Sequence, residues 1–168
     1  MAVTQQLARV PVAYLERCRT LAAERADGDH GFDPPAADCL DLDWAPFLLK
    51  RVAELGGLDQ APLAALHLAL DGDPGFDLAF LNRYPYAIAA FGGTPTALAP
   101  AEVARAAGLL HGIDLPALWE SVSPEDLGPL SQGITGGARR YAATHFAALF
   151  GFYAEAARRG LAVVLWWD

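Results

Sequence analysis

The apolar positions change their spacing along the chain, and that change marks the elements. "VTQQLARV" (3–10) reads as a short strand with Leu7 and Val10 apolar, and Pro11 opens a helix behind it. Tyr14, Leu15, Cys18, Leu21 and Ala22 then follow helical spacing. Residues 27–38, "DGDHGFDPPAAD", form a loop rich in Gly, Pro and Asp. Asp43 reads as the N-cap of a helix with Trp44, Phe47, Leu48, Val52 and Leu55 as its apolar stripe, stopped by Gly56-Gly57. Asp59 caps the next helix, with Leu63, Leu66 and Leu70 inward and Gly72 as its stop. "LAFL" (78–81) predicts a short helix before "RYPY", and "AIAAF" (87–91) predicts a buried strand.

The second half is more regular. Leu98 and Val103 flank a helix start at Pro100 as a hydrophobic staple, and that helix ends near Gly112. Asp114 caps "LPALWESV", and Ser123-Pro124-Glu125-Asp126 resembles a capping box. "GPLSQGITGG" (128–137) is a second long loop. The longest helix, "ARRYAATHFAALFGFYAEAARR", follows it and stops at Gly160. Its broad face carries Tyr141, His145, Phe146, Leu149, Phe152, Tyr153 and Ala156. "GLAVVLWWD" (160–168) then reads as an interior strand, with Val163, Leu165 and Trp167 facing one layer and Val164 and Trp166 the other. The fold class is therefore mixed α/β and helix-dominated, a small sheet with a buried C-terminal strand covered by helices in a three-layer arrangement. A chain of 168 residues with one continuous pattern reads as a single domain, 1–168.

Charge narrows the function classes. The net charge is −8, with no Lys/Arg run longer than two, which argues against nucleic acid and anionic membranes as partners. "MAVTQQLARV" has no signal-peptide pattern and no run reaches membrane-spanning length, so a cytoplasmic location is expected. Cys18 and Cys39 form neither a disulfide framework nor a metal motif, and Cys18 reads as structural despite Arg17 and Arg19 beside it.

Several pieces carry a family resemblance: "QLARVPVAYLE" (6–16), "LDLDW" (40–44), "LHLALDGD" (66–73), "ALAPAEVARAAGLLHGIDLPALWESVSPEDL" (97–127) and "HFAALFGFYAEAARRGLAVVLWWD" (145–168). Together they resemble the YfbM-like family of bacterial proteins, a domain of unknown function numbered 1877. The segment 45–65 departs from the family pattern by separating the second piece from the third. The resemblance implies a mixed α/β fold, and it brings no activity and no catalytic residues.

Candidate chemistry is sparse. Seven carboxylates lie between Glu24 and Asp43, and Asp71, Asp73 and Asp77 form a second acidic group. "DGDPGFDLAFLN" is no calcium loop, since Phe76 and Asn82 replace the required Gly and Glu. The histidines have no zinc spacing, so no metal and no cofactor are expected. His145, one turn after Tyr141, is the first candidate for a general base, with Tyr141 or Tyr153 near it, against the commoner reading of a core histidine bonded to backbone. "GITGGARRY" (133–141) puts Arg139 and Arg140 at a helix start, where cations oppose the dipole. Either an anion binds there or both arginines pair with nearby carboxylates.

Two readings follow. One is a non-catalytic protein-binding or regulatory module, which would meet a protein partner through Asp33, Asp38, Asp41, Asp71 and Asp73 and through Arg83, Tyr84 and Tyr86. The other is a small-molecule-binding protein or enzyme, with its site near the start of the long C-terminal helix and the C-terminal ends of the strands.

Overall fold

A computed structural model describes residues 3–132, 134 and 136–168. Met1, Ala2, Gly133 and Thr135 lie outside the described residues, so the glycine-rich part of "GITGGARRY" is described only in part. Among the described residues four strands form one sheet in the order β2-β1-β4-β3: β1 Gln5–Val10, β2 Cys39–Asp43, β3 Thr96–Leu98 and β4 Ala162–Trp167. Every pairing is antiparallel. The helices are α1 Val12–Glu24, α2 Ala45–Leu55, α3 Gln60–Asp71, α4 Pro100–Leu110, α5 Leu115–Glu120, α6 Pro124–Leu127 and α7 Ala138–Arg159.

The alternation of β4 divides the interior. Val163 and Leu165 point into a large core with Leu7 and Leu42, closed by α2, α3, α4 and α7. Val164 and Ala162 point the other way, into a smaller core with Ala8, Val10, the α1 residues Leu15 and Cys18, and Leu78 and Leu81. Helical cover on both faces makes the three layers that the sequence predicts. Leu165 pairs with Leu7 on one side and Thr96 on the other, so β4 is an interior strand held along both edges. Cys18 is buried within the smaller core, and burial raises its thiol pKa, as a structural cysteine requires.

Punctuation from the sequence holds at several ends. Gly160 takes the left-handed conformation at the end of α7. The Asp114 carboxylate accepts from the Ala117 N–H at 3.0 Å. The Ser123 hydroxyl accepts from the Asp126 N–H. Asp59 takes the N-cap position of α3, but its side chain makes no capping bond.

Three expectations are corrected. Asp43 is not the N-cap of α2; it ends strand β2, and Trp44 takes the cap position. The strand at 39–43 is a short edge strand paired only to β1, and its five residues are too few to stand out from the acidic loop before it. Residues 87–91 form turns, because the Ile88 N–H donates to the Leu81 carbonyl and the Ala89 N–H to Asn82 Oδ1. Their backbone groups are used locally and no ladder forms. Finally, Trp44 and Phe47 are not inward-facing like Leu48 and Val52; they are exposed by 52% and 41%.

Candidate functional site

The misread end of β2 builds the main concavity. Gln5 pairs with Asp43 on one side and with Trp167 on the other, so one rung of the sheet brings the ends of β2 and β4 together. Asp43 has φ of 51°, the sole positive φ of a non-glycine residue among the described residues. Asp tolerates this left-handed conformation better than most residues, because its short polar side chain bonds locally. The backbone there turns sharply and leads straight into Trp44 and α2. The Asp43 N–H donates to Asp41 Oδ1 at 2.7 Å, which holds the turn.

Tyr141, one turn into α7, closes the site from the other side. Its hydroxyl donates to Asp43 Oδ2 at 2.9 Å and accepts from the Trp44 N–H at 3.0 Å. Burial, followed by the hydrogen bond to the Asp43 carboxylate, pushes the phenol up to about 12. At neutral pH Tyr141 is therefore a fixed donor and a poor base. Asp43 Oδ1 has no protein partner among the described residues, and no Lys or Arg there forms an ion pair with this carboxylate.

Asp43 and Tyr141 sit on the wall of a cleft of about 570 Å³. Trp44, Phe47 and Leu48 line the side from α2; Pro129, Leu130, Gln132 and Ile134 line the side from the loop before α7. The ring of Phe47 lies 6.0 Å from Trp44 and 5.2 Å from Trp167, so a tilted aromatic row runs from the cleft to the end of β4. The cleft is thus apolar and aromatic, with one carboxylate and one phenol on its wall.

The YfbM-like family, described as a domain of unknown function (DUF1877), matches residues 49–166, most of the chain. This chain belongs to that family. Its fold is similar to a crystal structure of YfbM from Escherichia coli, a protein of unknown function, with a TM-score of 0.58 and 16% identity. That likeness covers 96% of this chain and 98% of the other, and at such identity it speaks for the fold alone. No curated protein matches the chain. Within the DUF1877 match lie Tyr141, Leu130 and Ile134; Asp43, Trp44 and Phe47 precede it.

The residues singled out from the sequence have separate fates. His145 Nδ1 donates to the Tyr141 carbonyl at 2.9 Å, so its ring nitrogen Nε2 is the free one, and its ring lies 4.2 Å from that of Tyr141. It is half-buried and shares a shallow surface pocket of about 270 Å³ with Gly136, Arg140, Tyr141 and Thr144. Tyr153 is fully buried, donates to the Ala69 carbonyl and does not line the Asp43–Tyr141 cleft. Arg139 pairs with Glu120, whereas Arg140 makes no side-chain ion pair among the described residues. Arg140, Tyr141 and His145 therefore share one shallow pocket on α7, while Arg139, paired with Glu120, and the buried Tyr153 do not line it.

Most of the acidic candidates work inside the fold. Asp38 receives Arg9 at 2.8 Å and Arg159 at 2.5 Å, tying β1 to the end of α7. Asp41 holds the Asp43 turn, Asp71 pairs with Lys50 and Asp73 accepts from the Gly75 N–H. The Asp33 N–H donates to the Tyr14 hydroxyl. Tyr86 donates to Asp27, and His30 Nε2 donates to the Tyr86 carbonyl, so "RYPY" is bound to the first acidic loop. Tyr84 stands 92% exposed and Arg83 is exposed beside it. Among the described residues no three His, Cys, Asp or Glu side chains converge, and no helix is long and apolar enough to cross a membrane.

Sequence reasoning missed Asp43 as a site residue, reading it as a helix cap, and it missed Trp44 and Phe47. The available signal was their place directly after "LDLD", where a core stripe starts one turn too early.

Proposed function

We propose that this protein is a non-catalytic binding protein, and that the Asp43–Tyr141 cleft receives a small-molecule ligand. One observation carries the reading: two large aromatic side chains, Trp44 and Phe47, stay exposed in a concavity whose wall also holds the carboxylate of Asp43, a residue with a positive-φ backbone. Exposed aromatics that line a cleft of this size match the usual make-up of ligand sites. Backbone in sparsely populated regions concentrates at such sites. The chemistry within the cleft favours binding over catalysis. Its phenol is held protonated, and its lining has no histidine, cysteine, serine or lysine among the described residues.

A screen of small aromatic fragments by ligand-observed NMR tests this. Binders are expected whose signals disappear in Trp44→Ala and in Phe47→Ala. Binders indifferent to both substitutions, or no binders, would overturn the reading.

Tyr84 supports a second reading, a protein-binding module that uses the turn 83–86, because a tyrosine 92% exposed on an anchored turn is a suitable contact. Its test is capture of the same protein by the wild-type chain and its loss with Tyr84→Ala.

A further inference from the structure

We infer that the cleft takes a free organic ammonium ion, an amine or quaternary ammonium carried on an apolar body. This rests on the reading of the cleft as a small-molecule site and adds the chemical class of its ligand.

Charge complementarity is the first argument. The Asp43 carboxylate lies on the cleft wall, and only Oδ2 is engaged by protein among the described residues, through the Tyr141 hydroxyl. The cleft lining contains no Lys or Arg among the described residues. The other half-buried carboxylates among the described residues are ion-paired: Asp38 with two arginines, Asp29 with Arg25, Glu102 with Arg105 and Glu155 with Arg158. Asp43 is the one left facing an apolar cleft, and a carboxylate in such surroundings gains most from an external cation.

The walls give the second argument. Trp44, Phe47 and Tyr141 line the same cleft as that carboxylate, and aromatic faces attract ammonium ions through their quadrupoles. The same walls are apolar, so they also accept a hydrocarbon body. An anion would meet Asp43 without a counter-charge, and the net charge of −8 would slow its approach. A volume of about 570 Å³ lies within the range that encloses a whole small molecule rather than one inserted side chain. The ligand is therefore a free molecule, not the lysine of a partner protein.

Isothermal titration of the full chain tests the inference with four probes: benzyltrimethylammonium, the neutral N-benzylacetamide, the anion phenylacetate, and a lysine blocked at both termini. Benzyltrimethylammonium is expected to bind at least about tenfold more tightly than the neutral amide, and phenylacetate most weakly. Asp43→Asn is expected to erase the preference while the neutral amide still binds. If Asp43→Asn fails to fold, Leu130→Lys, which sets a cation on the opposite cleft wall, decides the matter: it is expected to abolish the preference for the cation, and a preference that survives it would overturn the inference. A cation that binds no better than the amide, or a preference that survives Asp43→Asn, would overturn the inference. In that case, binding of both probes that is lost in Phe47→Ala would leave the small-molecule site standing. Binding of no probe, or binding indifferent to Phe47→Ala, would overturn the site as well. Blocked lysine binding more tightly than benzyltrimethylammonium would overturn the claim of a free ligand.

Discussion

At the scale of single residues, Asp43 and Tyr141 decide the site, and each depends on the other. The carboxylate raises the phenol, and the phenol steadies a carboxylate on a positive-φ backbone. Asp43→Asn removes one cause of the shift but leaves burial, so the Tyr141 phenol is expected to ionise below about 12 in that variant. Tyrosinate absorbance against pH, with Tyr141→Phe to assign the step, measures this; an unchanged step would break the proposed coupling. Tyr141→Phe also strips a partner from the Trp44 N–H and from Asp43 Oδ2, and it should cost about 1–2 kcal/mol in urea denaturation. Gly92 makes a different point. A Cβ built there would lie 2.5 Å from the Trp167 carbonyl oxygen, which is backbone and cannot rotate away. Gly92→Ala is therefore expected to destabilise by about 1–3 kcal/mol through displacement of the end of β4, read from the same denaturation experiment. Wild-type stability would show that the close approach is not needed.

At the scale of elements, caps separate what is bonded from what merely has the right sequence. Asp114 and Asp59 have the same cap signature, yet only Asp114 bonds a helical N–H. Asp114→Ala should cost about 1 kcal/mol and Asp59→Ala clearly less, and equal losses would contradict that distinction. The same contrast explains what was legible in the sequence. α7, Gly160 and β4 were readable because 22 residues of helical period, an αL glycine and an apolar run each act locally. β3 was not, since three residues are too few to show a period and its place is set by pairing with β4. "AIAAF" had the stronger strand pattern, but its N–H groups fold back on residues 81 and 82. Tyr141 was visible as a candidate on its helix. Its partner Asp43 lies 98 positions away, and no local pattern reports such a contact. Trp44 and Phe47 fit the α2 stripe by spacing alone, while their exposure on the cleft wall is a tertiary fact that spacing does not report.

At the scale of the whole molecule, one ion-pair cluster ties the sheet to its helical cover, and the cleft lies at the end of β2 and β4. Asp38 joins β1 to the end of α7 through Arg9 and Arg159, and the hydrogen bonds from Arg159 and then Arg9 hold its carboxyl below the usual range. A folded pKa lowered in this way stabilises the protein above the unfolded value of about 4, and that stability is lost as pH falls through the folded value. Denaturation midpoints should thus drop on acidification below about pH 4, and Asp38→Asn should both lower the neutral plateau and flatten that acid limb. An acid limb of full slope in Asp38→Asn would place the linkage elsewhere. At the open end, the account rests on ligand entry beside Trp44. The most direct measurement is the fluorine NMR spectrum of 5-fluorotryptophan-labelled protein titrated with benzyltrimethylammonium. Its four tryptophans are distributed usefully: Trp44 on the cleft wall, Trp167 at the end of the aromatic row, Trp166 on the opposite sheet face and Trp119 in α5. The account predicts a saturable shift of the Trp44 resonance, a smaller one for Trp167, and still signals from Trp119 and Trp166. A Trp44 signal that does not move, or a shift led by Trp119 or Trp166, would contradict it.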